Sequence, residues 1–173
     1  MKLEEAASLI QTEEIKHEFP ETWADLGCGS GLFTHALSTF LADQSLIYAV
    51  DNNLSSFRMN TIRDQVVIKK VLSNFETDSM NLTNLDGILM ANSLHYIKNK
   101  KAFLEKAKTW YGNKPVFLIV EYDRDHSNPW VPYPISFQKL KELFTLTGFT
   151  EIKKLHEKKS FYGGGKMYSA LIR

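Results

Sequence analysis

The chain has 173 residues, 43% hydrophobic and 24% charged, a globular balance that speaks against disorder, collagen and coiled coil. Its 21 Lys and Arg against 20 Asp and Glu leave a formal net charge of +1, which gives no electrostatic preference for nucleic acid or an anionic membrane. The single cysteine, Cys28, excludes an intrachain disulfide framework and a multi-cysteine metal site, and no apolar run approaches the roughly 18 residues of a membrane span.

The acidic segment Met1–Glu14 does not read as a signal peptide, so a cytoplasmic protein of one domain is expected. Apolar spacing predicts a helix over residues 3–18, with Leu3, Ala6, Ala7, Ile10 and Ile15 on one face and Pro20 ending it. Thr22–Leu26 reads as a short buried strand. Helical spacing returns over 31–41, and Leu46–Val50 is a continuous apolar run, as in a strand buried on both faces. Residues 53–64 are compatible with helix, Val66–Ile68 starts another strand, and 73–85 are polar and turn-like.

Asp86–Ala91 is the next strand, followed by a helix over 99–111 with Ala102, Phe103, Ala107 and Trp110 on one face. Val116–Val120 is a fully apolar strand, and a loop rich in Asp, Pro and aromatics runs from Tyr122 to Pro134. Ile135–Thr147 is helical, with Gly148 where a C-terminal cap belongs. Phe149–Leu155 and Met167–Ile172 are strands with no helix between them, so they pair antiparallel if they pair. Phe161–Gly165, between them, reads as a hairpin connection, with a substrate lid as the other reading. Strands alternating with helices argue for a three-layer α/β fold on a mostly parallel sheet, with ligands at the carboxyl ends of its strands.

The sharpest motif is Trp23-Ala-Asp-Leu-Gly-Cys-Gly-Ser-Gly31, which follows a predicted strand and opens a predicted helix. Glycines there allow a tight turn and a close approach of backbone to ligand, next to the free N–H groups of a helix start. Twenty residues after Gly31 stands Asp51, where a carboxylate can accept both hydroxyls of a ribose. A dinucleotide motif would place its third glycine at 32, which is Leu. Asp25 would repel a pyrophosphate but can accept from an ammonium group. The pattern suits a ligand with a ribose and a cationic amino-acid tail.

ADLGCGSG followed by IYAVD resembles motifs I and II of the class I S-adenosylmethionine-dependent methyltransferases. LDGILMANSLHYI at 85–97 resembles that family's fourth-strand segment, FLIVEYD its fifth strand, and the closing pair of strands its antiparallel seventh strand. The likeness is to small type 11/25 members. It implies a Rossmann-like sheet of seven strands in the order 3-2-1-4-5-7-6. A single domain would span 1–173, its N-terminal helix, within 1–19, covering the active edge. The implied cofactor is S-adenosyl-L-methionine, with S-adenosyl-L-homocysteine as product.

Carried over by position, Asp25, Gly27, Gly29 and Gly31 line the methionine moiety, and Cys28 packs within the same cofactor-binding loop. Asp51 holds the ribose hydroxyls with Asn52 beside it. Asn74 and Phe75 face the adenine, where the family often has an acidic residue; Asp78 is the alternative in another register. Asn92 and Ser93 lie beside the sulfonium. His95 is the candidate general base and Tyr96 a second catalytic candidate or a pocket wall. Tyr122, Arg124, His126, Trp130 and Tyr133 are candidate substrate-pocket residues on the 122–134 loop. No metal is expected.

The resulting expectation is in-line transfer of a methyl group to a small-molecule acceptor, by an enzyme of the class EC 2.1.1.-. Action on RNA, DNA or protein, and a non-catalytic S-adenosylmethionine-binding module, stay open as alternatives. The expected association state is a monomer, a homodimer, or a complex with a partner chain that supplies recognition, away from membranes.

Overall fold

The computed structural model describes residues 1–15, 18–59, 65–159 and 165–173. The strands are β1 (Thr22–Leu26), β2 (Leu46–Asp51), β3 (Val67–Leu72), β4 (Leu85–Ala91), β5 (Tyr111–Tyr122), β6 (Ile152–Lys159) and β7 (Lys166–Ile172). The helices are α1 (Leu3–Ile10), α2 (Leu32–Ser38), α3 (Lys100–Ala107) and α4 (Phe137–Leu146), with a 3-10 turn at Leu94–Tyr96. One sheet forms in the order β3-β2-β1-β4-β5-β7-β6. β3-β2, β2-β1, β1-β4 and β4-β5 pair in parallel, while β7 runs antiparallel to both β5 and β6. The order expected from the resemblance is thus the observed one.

Side chains alternate along each central strand, as the pleat requires. On one face Ala24, Ile88, Met90, Phe117, Ile119, Tyr168 and Ala170 pack against Phe103 and Leu104 of α3 and Leu140 and Phe144 of α4. On the other, Trp23, Leu89, Leu118, Val120 and Leu171 pack against Leu9 and Ile10 of α1 and Ala36 and Leu37 of α2. Trp23 lies so close over Gly87 that a Cβ on that glycine would stand 2.4 Å from its ring. Phe117, Phe144 and Phe149 form an edge-to-face cluster with centroids 5.3–5.4 Å apart.

Several expected elements have different bounds. The helix over 3–18 ends at Ile10, because Gln11 is extended and Thr12 Oγ1 accepts the Glu14 N–H, a local bond that competes with the helix. Ile15 nevertheless reaches the same core. α1 packs on the sheet face beside α2 and over β5, β6 and β7 rather than across the carboxyl edge of the sheet. Residues 53–59 hold no helix: Asp51 Oδ1 accepts the Asn53 N–H and Asn53 Oδ1 the Ser55 N–H, which closes Asx turns instead. The rest of that expected helix, 60–64, lies outside the described residues. β6 begins at Ile152 rather than Phe149, whose ring enters the aromatic cluster while Thr150 and Glu151 donate to the Arg173 carbonyl. Most of the expected hairpin connection, 160–164, is also outside the described residues. Gly148 does take the left-handed conformation (φ +100°) that ends α4. No helix among the described residues is long and apolar enough to cross a membrane.

Candidate functional site

A cavity of about 620 Å³ opens at the carboxyl ends of β1, β2 and β4. Parallel strands and their crossovers bring the 27–31, 51–53, 73–78 and 91–97 segments to this one edge. The glycine loop folds around the end of β2, where Gly27 and Cys28 both donate to the Val50 carbonyl (2.8 and 3.0 Å). Gly27 has φ +82°, and a Cβ there would stand 2.4 Å from Ser93 Cβ, so only glycine lets β1 and β4 deliver their loops side by side. Ser93 closes this junction by donating from Oγ to the Leu26 carbonyl (2.5 Å).

Asp51 receives the loop. Its Oδ2 accepts the Gly29 N–H (2.9 Å) and its Oδ1 the Asn53 N–H (3.0 Å). Each oxygen keeps a lone pair for a further donor. Asp25 is 1% exposed, and its Oδ2 accepts the Thr34 hydroxyl (2.5 Å) from α2. Its Oδ1 is buried with no partner among the described residues. Burial, with the nearby Asp51 charge adding, pushes the Asp25 carboxyl up to about 7. A buried, half-satisfied carboxyl in a cavity wall is the counterpart of a cationic ligand group. Burial, then the Asp25 and Asp51 charges, push the Cys28 thiol well above its usual range, which favours the neutral thiol.

The 73–78 turn forms the far wall. Asp78 Oδ2 accepts the Asn74 N–H (2.8 Å) and the Ser73 hydroxyl (3.1 Å), and the Asn74 bond leads in holding its carboxyl below the usual range. Lys106, from α3, donates to the carbonyls of Phe75, Glu76 and Asp78 (3.2, 3.1 and 2.7 Å). Asn74, Phe75 and Glu76 therefore line the cavity while Asp78 braces the turn from outside it.

At the end of β4, Asn92 adopts φ +55°, a left-handed conformation uncommon outside glycine. His95 follows in the 3-10 turn, 2% exposed. Both oxygens of the fully buried Glu121 face it: Oε1 accepts the His95 N–H (3.0 Å) and Oε2 lies 2.8 Å from Nδ1. That contact makes Nδ1 the protonated nitrogen and leaves Nε2, which is buried, without a partner among the described residues.

Of the residues singled out in the sequence, Asp25, Gly27, Cys28, Gly29, Asp51, Asn52, Asn74, Phe75, Asn92, Ser93 and Tyr96 line the cavity together. Gly31 does not: it caps α2 at φ +85°, and a Cβ there would meet the Phe57 ring at 2.8 Å. His95 does not line it either, because its ring is sequestered against Glu121 with Tyr96 at 4.4 Å. Tyr122, Arg124, His126, Trp130 and Tyr133 also stand outside the lining. The reason is the loop's own fold. Asn128 Oδ1 accepts the N–H groups of Trp130 and Val131 (3.0 and 2.7 Å), and the Tyr133 N–H docks on the His95 carbonyl (2.9 Å). Lys100 ties Ile97 to Tyr133 through their carbonyls (2.8 and 2.7 Å). The loop thus buttresses the 94–97 turn instead of entering the cavity.

Ser30, Leu32, Phe33, Glu76 and Ile97 also line the cavity, and Glu121 organises its edge. Ser30, Leu32 and Phe33 were legible as neighbours of the glycine motif, since a helix that starts at the loop turns its first residues toward the ligand edge. Glu121 had only its place at the end of an apolar strand as a signal.

A family model described as a methyltransferase domain matches residues 24–114, more than half of the chain. No curated protein matches. Among solved structures, a SAM-dependent methyltransferase from Aquifex aeolicus is 17% identical, with 100% of each chain covered and a TM-score of 0.61. An arsenic(III) S-adenosylmethionine methyltransferase from Chlamydomonas reinhardtii is 13% identical, covering 99% of this chain and 72% of its own, with a TM-score of 0.62. The plantazolicin methyltransferase BpumL, solved in complex with SAH, is 14% identical, covering 97% of this chain and 82% of its own, with a TM-score of 0.64. At these identities the likeness is one of fold.

Proposed function

This chain belongs to the methyltransferase domain family, and we propose that it is an S-adenosylmethionine-dependent methyltransferase acting on a small-molecule acceptor. The observation that carries the reading is the pair of carboxylates around the glycine loop. Asp25 offers an unpartnered buried oxygen, and Asp51 keeps free lone pairs beside Gly29. The cofactor needs an acceptor for its ammonium and another for its ribose hydroxyls, and the cavity volume of about 620 Å³ is in the range of cofactor sites. The residues present fit the group.

Asp25 would hold the ammonium, Asp51 the ribose hydroxyls, and Asn74 and Phe75 the adenine. When bound, S-adenosylmethionine supplies a methyl group on a sulfonium, an electrophile already activated for displacement. The chain's own part is then to bind, align and exclude water. Phe33 and Ile97 supply apolar wall, and Tyr96 borders the opening. His95, held by Glu121 behind Tyr96, serves this arrangement as support for the turn; as a base it would need a path to Nε2. Net charge near zero and a loop that closes on itself support a small acceptor over a nucleic acid.

Two measurements test this. Calorimetry with S-adenosylhomocysteine is expected to show binding that Asp51→Ala abolishes, with unchanged affinity refuting the assignment. Incubation of a metabolite extract with labelled methyl donor is expected to label small molecules; label confined to macromolecules refutes a small acceptor. A cytoplasmic location accords with this substrate class.

A further inference from the structure

Asn74, Phe75 and Glu76 are the residues of the 73–78 turn that line the cavity. Phe75, held edge-on against Phe103 (5.9 Å), offers an apolar surface that does not tell one flat base from another. A site tells bases apart by bonding the polar groups on their edges. The edge of an adenine carries an exocyclic amine, a donor that needs an acceptor.

Nearly all acceptors of the three lining residues are spent inside the turn. The Asn74 carbonyl accepts the N–H groups of Thr77 and Asp78 (3.2 and 2.8 Å). The carbonyls of Phe75 and Glu76 accept from the Lys106 ammonium (3.2 and 3.1 Å). Asn74 Oδ1 accepts the Glu76 N–H (3.0 Å). A backbone N–H only donates, so the amide atom facing it is the oxygen, and the other end of the Asn74 side chain is a donor. Asp78 is spent as well. Its Oδ2 takes the Asn74 N–H and the Ser73 hydroxyl, its Oδ1 takes the Thr77 hydroxyl (3.0 Å), and it stands outside the lining.

The Glu76 carboxylate differs from all of these. Glu76 is exposed, lines the cavity, and makes no side-chain hydrogen bond or ion pair among the described residues. Its charge is felt at Lys100, whose ammonium donates to the carbonyl of Ile97 in another lining segment (2.8 Å). Burial lowers the pKa of Lys100, and the Glu121 and Glu76 charges oppose that lowering.

We propose that Glu76 is the residue that reads the base, its carboxylate accepting the exocyclic N–H of the adenine. Asn74 shapes the turn beneath it. The resemblance implied this role for position 74, with 78 as the alternative; the bonds inside the turn move it to 76. The inference rests on the cofactor reading above and deepens it to the residue that sets base specificity.

Calorimetry with S-adenosylhomocysteine and with its 6-deamino analogue, in which hydrogen replaces the amine, gives a ratio of two affinities. In the unmodified protein the ratio is expected to favour the amine about tenfold, the worth of one hydrogen bond to a charged group. Glu76→Ala, a change at an exposed side chain, is expected to bring the ratio near one by weakening S-adenosylhomocysteine alone. Glu76→Gln keeps an acceptor oxygen without the charge and is expected to retain a smaller preference. Asn74→Ser, whose hydroxyl can still close the turn, is expected to keep the full ratio. A ratio near one in the unmodified protein, or a ratio that survives Glu76→Ala, overturns the proposal. Failure of S-adenosylhomocysteine itself to bind overturns the cofactor reading and this inference with it.

Discussion

Asp25 makes the affinity of the cavity for a cationic ligand depend on pH. Its carboxyl is raised to about 7, with burial as the main cause. A ligand ammonium pairs with the ionised form. At pH 5 roughly 1% of such a group is ionised and at pH 7 about half, so binding that requires the anion strengthens about 50-fold between those values. Over the lower part of that range about one proton is released for each ligand bound. Calorimetry with S-adenosylhomocysteine at pH 5, 6 and 7, in buffers of different ionisation enthalpy, reads both quantities. Asp25→Asn is close in shape, still accepts the Thr34 hydroxyl through its amide oxygen, and cannot ionise, so its slope is expected to vanish while its affinity at pH 7 falls. The same shift acts on the empty protein with the opposite sense. Because the folded-state value lies above the unfolded one, the native state keeps a proton that the unfolded chain loses. Unliganded stability therefore declines as pH rises from about 4 to about 7, and this decline is absent in Asp25→Asn. A flat affinity without proton release, or a slope that persists in Asp25→Asn, refutes the reasoning.

Gly87→Ala forces a Cβ to 2.4 Å from the Trp23 ring and is expected to cost about 1–3 kcal/mol in urea unfolding, as overpacking does. Lys106→Met removes the ammonium that binds three carbonyls of the 75–78 turn. It is expected to weaken S-adenosylhomocysteine and adenosine by a similar factor, with partial recovery in Lys106→Arg; weakening of the first ligand alone would place the effect elsewhere. Glu121→Ala strips His95 of two hydrogen bonds, from its backbone N–H and from Nδ1, and is expected to lower stability by about 1–3 kcal/mol, as buried donors left without acceptors do. Glu121→Gln is expected to lose less and to move the imidazole proton from Nδ1 to Nε2, which nitrogen NMR detects; an unchanged tautomer would exclude the carboxylate as its cause.

Much of the site was legible because it is local in the chain. Asp25, Gly27, Gly29 and Asp51 sit on two consecutive strand ends, and a parallel crossover leaves such ends side by side wherever the exact bounds fall. Asn74 was legible as a position but not as a register. The choice between it and Asp78 is made by a turn in which Asp78 spends its carboxylate on Asn74 and Ser73. The path of the 122–134 loop was not legible for a related reason. Its aromatics and charges looked like a substrate wall, but the bonds that Asn128 makes to Trp130 and Val131 fold the loop onto itself. Side-chain bonds to nearby backbone compete with every longer-range arrangement, and composition does not reveal which one wins.

Alternation of apolar strands with amphipathic helices, and the motif from Trp23 to Gly31, were by themselves enough to determine the class of fold and the kind of ligand edge, and the family resemblance then implied the cofactor. Both depend on periodicity and on backbone freedom, which act within a few residues. Tertiary structure alone decided which polar atoms remain without partners. Glu121 and His95 are 26 residues apart and meet through two hydrogen bonds because β4 and β5 are neighbours. Ser93 and Leu26, 67 residues apart, satisfy each other because β1 and β4 are neighbours. Burial and pairing are properties of the packed sheet, so they had to be read across the chain and not along it.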